Sequence, residues 1–147
     1  MSRYSTKMLS ERLGLKAGQR LYFEGAPLVY LDALGTSPAG VRFLEYPVGP
    51  IDFIHLFARE PHTIADRMPR LAEQLAPRGM LWIAWPKRAV LRRAAMDEEA
   101  LRTIAAACGL TCAKTCELTD EWVGCKLVRR KKGRVRPAGA SVLAGNP

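Results

Sequence analysis

The sequence predicts an α/β fold, a three-layer sandwich in which helices cover both faces of a mainly parallel sheet that ends in an antiparallel hairpin. Strand-like and helix-like patterns alternate along the chain, which is typical of parallel sheets with crossover helices. Residues 51–57, IDFIHLF, and 80–85, MLWIAW, are apolar almost throughout, as expected for strands covered on both faces. The last two strand patterns, 111–118 and 122–129, are separated by TDE alone, which predicts a hairpin.

The amino-terminal half shows short elements separated by turn residues. Ser5 can cap a helix that ends at Gly14. LKAGQR then turns into a first strand over residues 21–24. Leucines at helical spacing predict a short helix over residues 28–35, TSPAG breaks it, and VRFLEY, residues 41–46, predicts a second strand.

Two longer helices follow. An apolar stripe predicts a helix over residues 62–76, with a kink or a restart at Pro69 because proline lacks the N–H that a helix interior needs. APRG is expected to end it. Asp97 caps the next helix, and Gly109 is a typical stop.

Charge divides the chain into one domain, residues 1–129, and a basic tail, residues 130–147. The tail carries five basic and no acidic side chains, so it supplies more than half of the net charge of +9. Its glycine, proline, alanine and serine predict disorder. A solvated tail is favoured over one that binds nucleic acid, because no aromatic residue is present for base stacking.

Composition argues against several classes of protein. No apolar run approaches the roughly 20 residues that span a bilayer, and the amino terminus has no signal-peptide pattern, so we expect a cytoplasmic protein without membrane contact. The four cysteines form no C-x2-C pair and have no nearby histidine. We therefore expect reduced thiols that fill apolar space and no metal site.

Several segments resemble AdoMet-dependent methyltransferases. LAPRGMLWIAWPK, residues 75–87, is similar to their fifth-strand segment, IDFIHLF to the fourth strand, and GLTCAKTCEL followed by EWVGCKLVRRK to the sixth and seventh. The resemblance covers about residues 18–130 and implies a Rossmann-like methyltransferase fold.

A second resemblance is to a bacterial family of short proteins whose activity is not established. Its pattern Y-S-x-x-x-L-x-x-x-L-G-[IL]-x-x-G is similar to residues 4–18, and its D-F-[IV]-H-L-F and G-M-L-W-[IV]-x-W-P-K segments are similar to residues 52–57 and 79–87. This resemblance covers almost the whole chain and implies the same fold.

The resemblance implies AdoMet as a cofactor, with Glu24 and Gly25 in its first loop. The methyltransferase loop D/E-x-G-x-G-x-G lets backbone N–H groups approach the ligand, whereas EGAP has one glycine, and Pro27 has no N–H to donate. Glu45, near the end of the second strand, corresponds to the ribose-binding acid; the alternative is a solvated side chain at a strand end.

The chain is also shorter than the resemblance implies. Only PVGP separates residues 41–46 from residues 51–57, and a parallel crossover needs about a dozen residues. We therefore expect a shortened sheet with the strand order 2-1-4-5-7-6 in methyltransferase naming, and an almost extended link between these two strands.

The remaining candidates lie near the carboxyl ends of the strands, where open α/β sheets bind ligands. They form a predicted aromatic and basic rim, suited to an anionic ligand or a protein partner: His55, Arg59, Trp85, Lys87 and Arg88. The alternatives are a packing tryptophan beside a solvated loop, and a buried, hydrogen-bonded histidine instead of a general base.

These observations leave three hypotheses of different classes. The leading one is a non-catalytic module that binds a ligand or partner on a reduced methyltransferase-like fold, because the loop has one glycine and a segment is missing. The second is a working AdoMet-dependent methyltransferase with a divergent loop. The third is a nucleic-acid-associated protein that uses residues 87–93 and 130–136.

Overall fold

A computed structural model of the protein describes residues 9–35, 38–87 and 98–130. Within these ranges the helices and strands follow one another in the predicted alternation. In chain order they are α1 (Leu9–Leu13), β1 (Arg20–Glu24), α2 (Leu28–Leu34), β2 (Arg42–Phe43), β3 (Ile51–Phe57), α3 (Pro61–Glu73), β4 (Leu75–Pro86), α4 (Glu98–Ala107), β5 (Leu110–Glu117) and β6 (Trp122–Arg129).

The described strands form one six-stranded sheet in the order β2-β1-β3-β4-β6-β5. The first four are parallel, and β6 runs antiparallel to both β4 and β5. This order is the one predicted from the shortened chain. The predicted α/β class, with a mainly parallel sheet that ends in an antiparallel hairpin, is confirmed.

Helices pack on both faces of the sheet and produce two separate cores. On one face, α3 and α4 contribute Ile64, Met68, Leu71, Leu101 and Ala105 against the even side of β3 and the odd side of β4. On the other face, α1 and α2 cover an aromatic cluster. Because both faces are covered, β3 and β4 are buried along nearly their whole length, which explains their apolar sequences.

The link between β2 and β3 is longer than predicted because β2 is short. The predicted strand 41–46 is only two residues long in the structure. Leu21 of β1 lies opposite Phe43 of β2 on one side and opposite Phe53 of β3 on the other. The return to Ile51 therefore covers about 7 Å along the strands and about 10 Å across them, which residues 44–50 span with ease.

Two further predictions need correction. Of the kink or restart predicted at Pro69, the restart is wrong, since α3 is continuous through this residue. β4 begins at Leu75, not at residue 80, so APRG lies in the strand. The cause is tertiary: Leu75 pairs with Ile51, and a register shift follows before the pairing of Phe53 with Met80.

Some sequence predictions fall outside the described residues. They concern the caps at Ser5 and Asp97 and all of the basic tail except Arg130. No helix within the described ranges is long and apolar enough to cross a membrane.

Candidate functional site

The β1–α2 turn holds the only glycine of EGAP in a conformation that the fold itself requires. Gly25 has a φ of 76°, in the left-handed region that side chains disfavour. A Cβ atom built on Gly25 would lie 2.8 Å from the carbonyl oxygen of Phe57 at the end of β3. Close packing of the turn against β3 therefore accounts for this glycine without any ligand.

The carboxylate of Glu24, the last residue of β1, is held by other side chains. Arg67 of α3 donates Nε to Oε2 at 2.6 Å and Nη2 to Oε1 at 2.8 Å, a bidentate arrangement of the strong kind. The Tyr22 hydroxyl donates to Oε1 at 2.9 Å. The Arg67 hydrogen bonds are the main reason that the pKa of Glu24 lies below its ordinary value.

The remainder of this turn offers few donors. Pro27 precedes α2 in an extended conformation, without a side-chain cap, and it has no N–H. Its carbonyl oxygen accepts hydrogen bonds from the backbone N–H groups of Tyr30 and Leu31. The turn is thus organised around contacts within the protein.

Glu45 lies two residues beyond the end of β2, in a bend, and is exposed. The predicted strand over residues 41–46 includes Glu45, but the observed strand β2 ends at Phe43, before Glu45. Its role in holding a ribose stays a prediction.

His55 lies inside the protein, in the aromatic cluster beneath α2. It is fully buried, its Nδ1 is 2.8 Å from the Tyr30 hydroxyl, and its ring stacks on Phe57 at 4.2 Å. Among the described residues, Nε2 has no hydrogen-bond partner. Burial lowers the pKa of His55 well below its ordinary value, so the ring is neutral. The structure therefore shows the buried, hydrogen-bonded histidine that the sequence offers as the alternative to a rim residue.

Trp85 is the packing tryptophan that the sequence offers as the alternative to a rim residue. It is 9% exposed and belongs to the core beneath α3 and α4, because the odd residues of β4 face that side. Arg59 and Lys87 do lie at the surface edge, and Arg88 lies outside the described residues.

Arg59 and Lys87 meet the hairpin turn in an open cleft of about 730 Å³, which we call the hairpin cleft. The cleft lies at the carboxyl ends of β3 and β4. Its lining consists of Arg59, Pro86, Lys87, Glu117, Asp120, Glu121 and Trp122.

Contacts within the hairpin cleft fix several of its side chains. The guanidinium of Arg59 lies over the Trp122 ring, 5.1 Å from its centroid, a favourable cation–π distance. Nζ of Lys87 is 3.2 Å from Oε2 of Glu117, and the Lys87 backbone N–H donates to the Glu121 carbonyl at 2.7 Å. The described lining carries three carboxylates and two cations. Arg88 lies outside the described residues, so the basic rim stays a prediction.

Sequence reasoning missed Arg67, Tyr30 and the hairpin residues. Arg67 lies 43 positions from Glu24, and no local pattern links the two. Trp122 carried a usable signal, since a tryptophan at the start of a strand beside two acidic residues of a turn is well placed for a surface cleft. Within the described ranges, no three potential metal ligands come together.

The arrangement of this sheet is found in solved structures. A SAM-dependent methyltransferase from Aquifex aeolicus matches with a TM-score of 0.55 and 15% identity, over 80% of this chain and 85% of that one. The fold is methyltransferase-like. Magnesium protoporphyrin IX methyltransferase from Synechocystis, solved with bound SAH, matches with a TM-score of 0.55 and 14% identity, over 83% and 78% of the two chains. The methyltransferase-like fold implied by the sequence resemblance is therefore confirmed.

A protein that is not described as a methyltransferase also shares the fold. A possible exported protein from Bordetella parapertussis matches with a TM-score of 0.61 and 10% identity, over 84% of this chain and 66% of that one. No protein-family model and no curated protein matches the chain. The narrower resemblance to the short bacterial family therefore stays a prediction. At these identities the likeness concerns the fold alone.

Proposed function

We propose that the protein is a non-catalytic binding module on a methyltransferase-like fold, and that its partner is a protein that presents basic side chains to the hairpin cleft. The observation that carries the first part is the state of the β1–α2 turn. Glu24 is engaged by Arg67 and Tyr22, and Gly25 is required by the carbonyl of Phe57.

An AdoMet molecule at this turn faces direct competition. Any ligand group that hydrogen-bonds Glu24 competes with a bidentate guanidinium, and hydrogen bonds of this charged kind contribute about 1.5–3 kcal/mol each. Pro27 removes one backbone donor from the loop. Contacts within the protein therefore explain the residues of this turn without a cofactor.

The hairpin cleft supports the second part. Of its cations, Lys87 is paired with Glu117 and Arg59 lies on the Trp122 ring. Glu121 adds a further carboxylate at the turn between β5 and β6. A partner with lysine or arginine side chains gains more there than an anionic ligand, since opposite charges at an interface favour and orient encounter.

The methyltransferase activity is the second candidate. Two observations favour it: the fold matches a methyltransferase solved with bound SAH, and the carboxylate of Glu45 is exposed. The nucleic-acid hypothesis depends on residues 87–93 and 130–136, of which only Lys87 and Arg130 are described, and it stays a prediction.

Thermal unfolding with AdoMet or SAH separates the first two candidates. A ligand at about 100 times its Kd stabilises by roughly 2.7 kcal/mol, which raises Tm by about 5–10 °C for a domain of this size. We expect no rise at millimolar ligand. A rise that is lost in Glu45→Gln but kept in Glu73→Gln, a matched exposed glutamate of α3, would establish cofactor binding instead.

Binding of simple peptides tests the partner. We expect a lysine-rich peptide to bind in a salt-dependent way, and Glu121→Gln to weaken it several-fold while Glu73→Gln does not. Preferential binding of a glutamate-rich peptide or of an oligonucleotide would reject the proposed charge preference.

A further inference from the structure

Two lysines lie directly opposite each other on neighbouring strands of the hairpin. Lys114 of β5 pairs with Lys126 of β6, and residues paired in this way have Cβ atoms only about 4.5–5.5 Å apart. Cys125 and Leu127 belong to the core under α3 and α4, so the two lysines point to the other face of the sheet, which carries α1. Like charges directly opposite each other destabilise a sheet. The pair therefore needs an explanation other than sheet stability.

An irregularity in β5 turns Lys114 towards Lys126. Residues 112 and 114 of a regular strand face the same side of the sheet, yet Cys112 pairs with Leu127 and Lys114 pairs with Lys126, and these two partners face opposite sides. The register shift leaves Ala113 as an extra residue. Bulges re-aim side chains and are frequent next to active sites. The backbone thus departs from regular pairing at the point that brings two cations together.

Lys114 leans across β6 and does not extend away from it. Trp82 of β4 pairs with Lys126, and Nζ of Lys114 lies 6.0 Å from the centroid of the Trp82 ring. Because neighbouring strands are about 4.8 Å apart, Lys114 must reach over the strand of Lys126 to approach this ring. Both ammonium groups therefore border the same small area of surface.

No acidic side chain balances these charges within the ranges that the structure describes. The ion pairs found there join other residues. A third cation is close, since the Leu13 carbonyl at the end of α1 accepts a hydrogen bond from Nε1 of Trp82 at 3.2 Å, and the exposed Lys16 follows in the next loop. Burial, and then the charges of Lys114 and Lys16, lower the pKa of Lys126. The area is electropositive and lacks a counter-charge from this part of the chain.

We propose that Lys114 and Lys126 bind the phosphoryl group of a small ligand, with Lys16 and the hydroxyl of Thr111 at the border of the site. Lysine binds phosphate as a point charge, and a phosphate dianion balances both lysines, whereas a carboxylate balances one. Thr111 pairs with Val128, so it is the next residue of β5 on this face, and it is exposed. Its hydroxyl supplies a neutral donor beside the two cations.

The extent of the site favours a small ligand over a nucleic acid. The ladder positions on either side of the lysine pair are neutral, namely Thr111 with Val128 and Cys116 with Gly124. A nucleic-acid strand is bound by a positively charged groove that follows its backbone. Neither lysine lines the hairpin cleft, so this site is separate from the one proposed above for a basic partner.

Calorimetric titration of the full chain with inorganic pyrophosphate at low ionic strength tests the site. We expect Lys114→Gln and Lys126→Gln each to weaken binding by about tenfold or more. Arg70→Gln is the matched control, because it removes the same charge from an exposed position of α3, on the other face of the sheet, and it should leave binding nearly unchanged. Without pyrophosphate, Lys114→Gln should unfold at the same Tm as the wild-type chain or a higher one, since it removes a like charge.

Three results would overturn the proposal: no binding at millimolar pyrophosphate, binding that is unchanged in both lysine variants, or equal weakening in Arg70→Gln, which would mean attraction to the net charge alone. Two further probes identify the source of the phosphoryl group. Binding of glycerol phosphate through the same two lysines would support a small phosphate ester. A single-stranded oligonucleotide that uses these lysines and is not displaced by pyrophosphate would reject the small ligand in favour of a nucleic acid.

Discussion

Replacing Gly25 by alanine tests whether this residue serves the fold or a ligand. Two terms add up at this position. A side chain at a φ of 76° costs about 1–2 kcal/mol. The new Cβ would also lie 2.8 Å from the Phe57 carbonyl oxygen, and relieving such a contact by backbone movement costs roughly another 1–3 kcal/mol. We expect Gly25→Ala to lower the free energy of unfolding by about 2–5 kcal/mol.

Gly18→Ala is the matched control. Gly18 has nearly the same φ, 75°, and a Cβ atom added to it would meet nothing within 4 Å, so only the conformational term of about 1–2 kcal/mol applies. Urea unfolding of both variants, in the absence of any ligand, measures the difference. Equal losses would show that the contact with Phe57 does not constrain the turn, and the argument that the fold alone requires Gly25 would fail.

Two further predictions concern pH. Because burial lowers the pKa of His55, the unfolded chain binds its proton more readily, so stability falls as pH drops below about 6.5 by up to roughly 1.4 kcal/mol per pH unit; His55→Phe should flatten this slope in calorimetry, while the exposed His62→Gln should not. The lowered pKa of Glu24 adds stability that is present above about pH 4.5 and is lost below it. A double-mutant cycle with Glu24→Gln and Arg67→Met should give a coupling of about 1–2 kcal/mol at pH 7, and no coupling at any pH would contradict the ion pair.

The elements that sequence predicts well are those whose signal is local. Residues 51–57 are apolar and bounded by prolines and charges, so both ends of β3 are predicted correctly. The start of β4 is not, because Pro77 and Gly79 look like a turn, and only pairing with Ile51 makes Leu75 a strand residue. Secondary-structure propensity is a weak prior that such tertiary contacts override.

The candidate site shows the same limit. The sequence shows Glu24 and Gly25 as a turn, but the partner of Glu24 comes from α3, and the atom that excludes a side chain at Gly25 belongs to Phe57. Neither contact can be recognised from the local sequence pattern, because its two residues are far apart in the chain. The packing of Trp85, one of the two alternatives, follows from alternation along β4, which puts it on the same face as Ile83.

The shape of the two outer strands has a consequence for association. An open sheet edge is a template for pairing with another chain, and proteins block it with short strands, bulges and lysines. Here one edge strand, β2, is two residues long, and the other, β5, combines the irregularity at Ala113 with the exposed Lys114. Both edges are thus poor templates for strand addition. Among the described residues, pairing of another chain with either edge of the sheet is therefore disfavoured.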